Sequence, residues 1–171
     1  MKGLFSLDSK IAIVTGAARG NGKSIAQGLS QFGANVIGLD LKKNLELCDF
    51  EYVRCDVASQ IDIEKTIDYV LNKYGKIDIL VNNAGVSYPC DFLEYPEDLW
   101  EKTYNVNLKA PYRLMTCVAK EMKKNKSGSI INITSLNSEM AFPNNPAYVA
   151  TKGGLKQLTK SAALDLGKYN I

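Results

Sequence analysis

A chain of 171 residues, 46% hydrophobic and 23% charged, is long enough to bury a core and is expected to form a single domain over residues 1–171. The net charge of +3 offers no basic run for nucleic acid, and the lack of histidine removes the Ser-His-Asp triad, the Cys-His nucleophile and His-ligated zinc, leaving Tyr, Lys, Cys, Asp or Glu as general acid. Four cysteines at 48, 55, 90 and 117 show no C-x-x-C spacing, and no apolar run suits a leader or a membrane span, so the expectation is a cytoplasmic protein with reduced thiols, no metal and no membrane partner.

Ile11 to Val14 is a short β-branched run of the kind found in buried parallel strands, and it ends in the glycine-rich stretch Thr15 to Gly22. A helical pattern follows, with Ile25, Leu29 and Phe32 on one face and Gly33 as its stop. Asn35 to Leu39 is the second strand, ending at Asp40. Residues 41–50 read as a turn or a stunted helix, and Glu51 to Cys55 as a third strand ending at Asp56. Ile63, Ile67, Val70, Leu71 and Tyr74 mark the next helix face, and Ile77 to Val81 a fourth strand running into Asn82-Asn83-Ala84-Gly85. One long helix is expected from about 97 to 124, with apolar positions at Trp100, Leu108, Met115, Val118 and Met122. Ser129 to Thr134 is the fifth strand, and a helix carrying Tyr148 closes the chain. Strands alternating with helices predict an α/β fold, a doubly wound parallel sheet in three layers of the Rossmann type.

The glycine-rich turn follows a strand and opens a helix, the context in which such a turn binds a dinucleotide. Gly16, Gly20 and Gly22, with Arg19 and Asn21 between them, let the backbone approach a pyrophosphate at the helix N-terminus. Asp40 stands 18 residues beyond Gly22, at the end of the second strand. A carboxylate there accepts hydrogen bonds from the adenosine ribose and repels a 2′-phosphate, favouring NAD(H) over NADP(H), a preference that Arg19 and Lys42 soften. The alternative for Asp40 is a turn former. Gly22-Lys23-Ser24 also resembles the end of a P-loop, but its first glycine would fall on Ala17, and Gly16 leaves one residue too many.

Tyr148 and Lys152 are four residues apart and so share a helix face, with Ser135 thirteen residues before the tyrosine. A cation one helical turn from a phenol favours the phenolate, and a serine hydroxyl aimed at the same point holds a substrate oxygen beside it. Such a group moves a proton to or from a carbonyl or alcohol oxygen while a separate carrier moves hydride. On its own the pair reads more readily as an exposed Tyr and Lys on a solvated helix face.

Taken together these segments resemble the short-chain dehydrogenase/reductase family over nearly the whole chain. Thr15-Gly16 through Gly20 and Gly22 matches the family's T-G-x-x-x-G-x-G turn, and Asn82-Asn83-Ala84-Gly85 its N-N-A-G. The resemblance implies that Asn107, Ser135, Tyr148 and Lys152 form the catalytic tetrad. Tyr148 is then the general acid/base, and Lys152 lowers its pKa and binds the nicotinamide ribose. Ser135 holds the substrate oxygen, and Asn107 interrupts its helix to organise a water relay. Asp56, with Val57 beside it, is placed at the adenine ring, and Asn83, Ala84 and Gly85 flank the cofactor. A homodimer or homotetramer built on the two long helices is implied, acting on a small alcohol or ketone. Read one by one, Asn82, Asn83, Asn107, Ser135, Ser138 and Asp56 also suit turns, caps and helix flanks, and Cys90 a loop thiol.

Several features depart from the family pattern. Asn21 stands where an aliphatic residue is usual, and only fifteen residues separate Asp40 from Asp56, so the helix between the second and third strands is expected to be lost or reduced. Relatives continue past the position of Ile171 through a further strand-helix-strand carrying a Pro-Gly turn and a substrate lid, so the domain is expected to be incomplete at its C-terminus, with an unprotected sheet edge, weak cofactor binding and little turnover. Ser135-Leu136-Asn137-Ser138-Glu139 is similar to the polyol and sugar-acid dehydrogenases of the family, gluconate 5-dehydrogenase-like enzymes among them. The alternatives are a 3-oxoacyl-thioester reductase using NADPH and a catalytically idle nucleotide-binding module.

Overall fold

The computed structural model describes residues 3–42 and 49–171. Of the expected turn or stunted helix over 41–50, residues 43–48 lie outside the described residues, and the flanking residues are not helical.

Five strands form one parallel sheet: β1 (Ile11–Thr15), β2 (Asn35–Asp40), β3 (Glu51–Arg54), β4 (Ile79–Asn82) and β5 (Ser129–Asn132), in the order β3-β2-β1-β4-β5. Strand-to-strand register runs from Ile11 opposite Asn35 on one side of β1 to Ala12 opposite Ile79 on the other. The order reverses between β1 and β4, and at such a switch point the C-terminal ends of the strands open a crevice.

The helices are α1 (Gly20–Gln31), α2 (Gln60–Tyr74), α3 (Glu97–Tyr104), α4 (Ala110–Asn125) and α5 (Pro146–Leu166). Alternation along the strands sorts the core into two layers. Ile11, Ile13, Ile37, Leu39 and Leu80 meet Ile63, Ile67 and Val70 of α2 and Leu114, Val118 and Met122 of α4. Ala12, Val14, Val36, Ile79 and Val81 meet Ala26 of α1 and Phe50 on the opposite face. That second cover stops short of β5, an edge strand whose Ile131 is 46% exposed.

Three expectations from hydrophobic spacing are corrected. The helix over 97–124 is not continuous: α3 ends at Tyr104, Asn105–Lys109 form a π turn in which the Ala110 N–H donates to the Asn105 carbonyl, and α4 then runs to Asn125. One inserted residue widens the turn without destroying the apolar spacing, so the sequence pattern passes through it. Trp100 is not on the core stripe; it is exposed at 37% and makes an edge contact with Tyr95. Phe32, expected on the buried face of α1, is at the C-cap and also exposed. Other element ends move by one or two residues, as at β5, which stops at Asn132. No described helix is long and apolar enough to cross a membrane.

Candidate active site

The turn after β1 is built so that its backbone comes close to the crevice. Gly16 adopts φ +67°, and a Cβ on Gly22 would lie 2.1 Å from the Gly16 carbonyl oxygen and 2.4 Å from Asn83 Nδ2. Only glycine allows α1 to start this close to β1 and to the loop after β4. Asn83 Nδ2 donates to the carbonyls of Thr15 (2.8 Å) and Gly16 (3.3 Å), and the Asn83 and Ala84 N–H groups donate to Thr15 Oγ1 at 3.0 and 2.9 Å. The turn and the N-N-A-G segment are thereby locked together across the switch point.

Asp40, at the tip of β2, accepts from Ala18 N–H at 3.0 Å and from Leu41 N–H at 2.8 Å. It therefore serves as a turn former and also faces the glycine-rich turn. Asp56 forms its own turn, accepting from Ala58 N–H at 2.9 Å, while the cap of α2 is Ser59, whose hydroxyl accepts from Asp62 N–H at 3.2 Å.

Gly16, Arg19, Gly20, Asn21, Gly22, Asp40, Asp56, Val57, Asn83, Ala84 and Gly85 line one cleft of about 580 Å³. Leu39, Leu41, Cys55, Val86 and Val106 line it too, and sequence reasoning did not single them out. Its floor of glycines, the carboxylate at its rim and the N-terminus of α1 fit the pyrophosphate and ribose of a dinucleotide. Among the described residues no group of three or more His, Cys, Asp or Glu is placed to hold a metal ion.

Tyr148 and Lys152 are not in that lining; they adjoin it. A Cβ on Gly85 would lie 3.7 Å from Lys152 Nζ and 3.5 Å from Asn107 Oδ1. α5 begins with Pro146 at its first turn, which suits the fixed φ of proline, and carries Tyr148 and Lys152 one turn apart. Lys152 is only 4% exposed; its Nζ donates to the Ile133 carbonyl at 2.7 Å and lies 5.7 Å from the centre of the Tyr148 ring. Burial pushes its pKa down from 10.5 to about 8.

Asn107 sits inside the π turn and is fully buried. Its side chain clasps the backbone of Val86, accepting from the N–H and donating to the carbonyl, both at 2.8 Å, and its Nδ2 reaches Thr151 Oγ1 at 3.4 Å. Ser135 caps the short 3₁₀ turn Leu136–Ser138, its hydroxyl accepting from Asn137 N–H and donating to Asn137 Oδ1, each at 3.2 Å. The 3₁₀ turn packs against α5, and Glu139 just beyond it pairs with Lys156 of that helix at 2.5 Å. Cys90 is a half-buried loop thiol. Thr15, quoted from sequence only as the first residue of the glycine-rich turn, joins the two loops, and Thr151, which backs Asn107, was not picked out from sequence.

A fold of this order, with a glycine-rich turn at the switch point and a buried lysine one turn behind a tyrosine, defines a nucleotide-dependent oxidoreductase. The family profile described as short chain dehydrogenase matches residues 10–171. The chain belongs to the short-chain dehydrogenase/reductase family. It is 33% identical to the NAD-dependent glycerol dehydrogenase of Listeria innocua serovar 6a, over 98% of this chain and 68% of that one. It is also 33% identical to the 5-keto-D-gluconate 5-reductase of Escherichia coli K12, over 100% of this chain and 71% of that one. Among solved structures it superposes with TM-score 0.91 and 33% identity on a gluconate 5-dehydrogenase from Burkholderia cenocepacia J2315 in complex with NADP and tartrate, covering 98% of this chain and 69% of that one.

Proposed function

We propose that this protein uses NAD(H) to interconvert a secondary alcohol and a ketone on a small polyol or sugar acid. The observation that carries the reading is the buried ammonium of Lys152, fixed on the Ile133 carbonyl behind Tyr148 and beside a glycine-floored cleft. When bound, the nicotinamide cofactor supplies or takes up hydride. The chain's own residues do the rest. Gly16, Arg19, Gly20, Asn21 and Gly22 receive the pyrophosphate, Asp40 the adenosine ribose, and Asp56 and Val57 the adenine. Asn83, Ala84 and Gly85 flank the nicotinamide half, whose ribose is held by Tyr148 and Lys152.

Tyr148 takes the proton from the substrate hydroxyl in oxidation and returns it in reduction. Lys152 keeps a positive charge behind the ring, and Ser135 donates a hydrogen bond to the same substrate oxygen. Asn107, by pinning Val86 from the π turn, holds the wall between cleft and lysine and organises a water relay there. The Asp40 carboxylate at the ribose position supports NAD over NADP. The polyol or sugar-acid assignment draws on the names of the glycerol and gluconate relatives. The groove of about 380 Å³ between α4 and α5, lined by Tyr112, Met115, Leu158 and Leu166, is the face we assign to a dimer or tetramer contact. Three described cysteines, all free, suit a cytoplasmic protein.

The test is turnover of a panel of polyols and sugar acids with NAD and with NADP. Activity on a panel member with NAD, lost in Tyr148→Phe, is the expected result. Turnover confined to acyl thioesters with NADPH would replace this reading with a 3-oxoacyl-thioester reductase. Cofactor binding without turnover, with biological activity retained in Tyr148→Phe, would replace it with an idle nucleotide-binding module.

A further inference from the structure

Between the last two strands and α5 runs a line of polar side chains, Asn82 buried and the others half-buried, with no part in the roles above. Asn82 and Asn132 are register partners on β4 and β5. Asn82 Nδ2 donates to Asn132 Oδ1 at 2.8 Å, Asn132 Nδ2 donates to Thr159 Oγ1 at 2.9 Å, and the Thr159 hydroxyl donates to the Leu155 carbonyl at 2.7 Å. Asn132 Nδ2 also meets Met115 Sδ at 3.3 Å. Asn82 is 2% exposed, and its Oδ1 has no hydrogen-bond partner among the described residues. One pair earlier on the same face stand Leu80 and Ile130, in ordinary apolar packing. Cohesion alone is served by more of the same; a half-satisfied amide pair is a costly substitute that brings direction.

The direction is toward the helix that carries Tyr148. Lys152, Leu155 and Thr159 fall on one stripe of α5. Lys152 Nζ grips the carbonyl of Ile133, the residue after Asn132, and the Ile133 N–H is itself held by the Asn82 carbonyl at 2.9 Å. Two consecutive residues at the end of β5 therefore hold α5 at points about two turns apart. Two anchors on one stripe constrain rotation as well as height, in addition to the contacts of Thr151 with Asn107 and of Lys156 with Glu139.

We propose that Asn132, acting through Thr159, is a positioning residue that sets the rotation of α5 and so holds the Lys152 ammonium at the sheet end behind Tyr148. The inference rests on the reading of Tyr148 and Lys152 as the proton-transfer pair. Asn82 orients the Asn132 amide so that its Nδ2 faces the helix. Lys152 Nζ faces the Ile133 carbonyl and the Tyr148 ring, with Gly85 beside it.

Competitive acylation of lysines across pH, read by mass spectrometry, reports the titration of Lys152 without any substrate. In the parent its midpoint is expected near 8. Thr159→Val removes the hydroxyl at constant shape, and Thr159→Ser keeps it; Asn132→Leu removes the amide. Thr159→Val and Asn132→Leu are expected to raise the midpoint by about one pH unit as the ammonium leaves its buried seat, while Thr159→Ser leaves it in place. In the same variants kcat on an active substrate is expected to fall about tenfold with little change in KM. A folded Thr159→Val whose Lys152 titrates as in the parent overturns the proposal, and so does a Thr159→Ser that shifts as far as Thr159→Val. If Asn132→Leu does not fold, the Thr159 pair decides. If no substrate is found, the proposed function falls while the labelling still judges the positioning.

Discussion

The two sides of the cleft are made of different material. Around β1 and β2 the site is backbone: a turn whose carbonyls and N–H groups are placed by Gly16 and Gly22, and a carboxylate occupied with N–H groups of its own chain. Around β5, α5 and the π turn it is side chain: a lysine held on the Ile133 carbonyl beside a tyrosine ring, and an asparagine held on Val86 and Thr151, by hydrogen bonds that span 19 to 44 residues of sequence. A surface made of backbone is damaged by adding atoms to it. A site made of side chains is damaged by taking them away.

The largest effect is expected on the side-chain half. Tyr148→Phe removes one hydroxyl and leaves the ring over Lys152, so turnover should drop roughly 10³-fold, while NADH titration should show affinity falling only by the loss of one ribose hydrogen bond, roughly fivefold. Retained turnover would show that another group moves the proton. On the backbone half the matching change adds a single methyl. Gly22→Ala drives a carbon to 2.1 Å from the Gly16 oxygen, where backbone has to move. Expected are a loss of about 1–3 kcal/mol in stability and at least a tenfold weaker NADH affinity. Unchanged binding in a folded Gly22→Ala would mean that the turn does not touch the cofactor.

A third change separates stability from function within the side-chain half. The Lys152 pKa lies below its ordinary value of 10.5 because burial disfavours the charge. Below about pH 8 folded and unfolded chains both hold the proton, and the folded state carries the whole cost of the buried charge. Between about 8 and 10.5 only the unfolded chain holds it, so stability rises with pH, and above 10.5 the cost is gone. Lys152→Met should therefore stabilise the protein at pH 7 by about 2 kcal/mol, after allowing for the lost hydrogen bond to Ile133, and should abolish turnover. The gain should shrink as pH is raised toward 10.5; denaturant unfolding at several pH values checks it.

The same division explains what was legible from sequence. The backbone half was readable because it is local: a β-branched run, a glycine turn, a helix and an acid follow one another within residues 11–40. Tyr148, Lys152 and Ser135 were legible as a spacing, but the contact of Lys152 with Ile133 was not, because nothing near residue 133 announces it. The π turn was hidden from the hydrophobic spacing, since Val106 and Leu108 keep the expected apolar rhythm through it, and only the family resemblance placed an interruption at Asn107. The Asn82–Asn132–Thr159 line was hidden for the opposite reason. Asn82 reads as part of N-N-A-G and the other two as isolated polar residues, and only the register of β4 on β5 and the packing of α5 bring the three together. Trp100 misled because a large apolar residue at helical spacing reads as core, although α3 leaves it at the surface.

The smallest effect is expected at the other edge of the sheet, away from both halves of the cleft. β3 is a four-residue edge strand, and Glu51 at its start is clamped from α2: Tyr69 and Tyr74 donate their hydroxyls to it, Tyr74 at 2.6 Å, and Lys73 donates at 2.8 Å. The Lys73 ammonium lies 5.5 and 5.3 Å from the two ring centres. Burial on its own would raise the Glu51 carboxyl, but the hydrogen bonds from Lys73, Tyr69 and Tyr74 outweigh it and hold the pKa below the ordinary 4.5. A depressed acid adds stability above the unfolded value and loses it as pH falls through the folded one. Glu51→Gln should lower Tm by a few degrees at pH 7, and the difference from the parent should close below pH 4.5 as the parent protonates. Hydrogen exchange should quicken in β3 and stay unchanged in β4 and β5, since the clamp touches only the edge. An equal loss of protection across all strands would mean that the clamp supports the whole sheet and that edge and cleft are not independent.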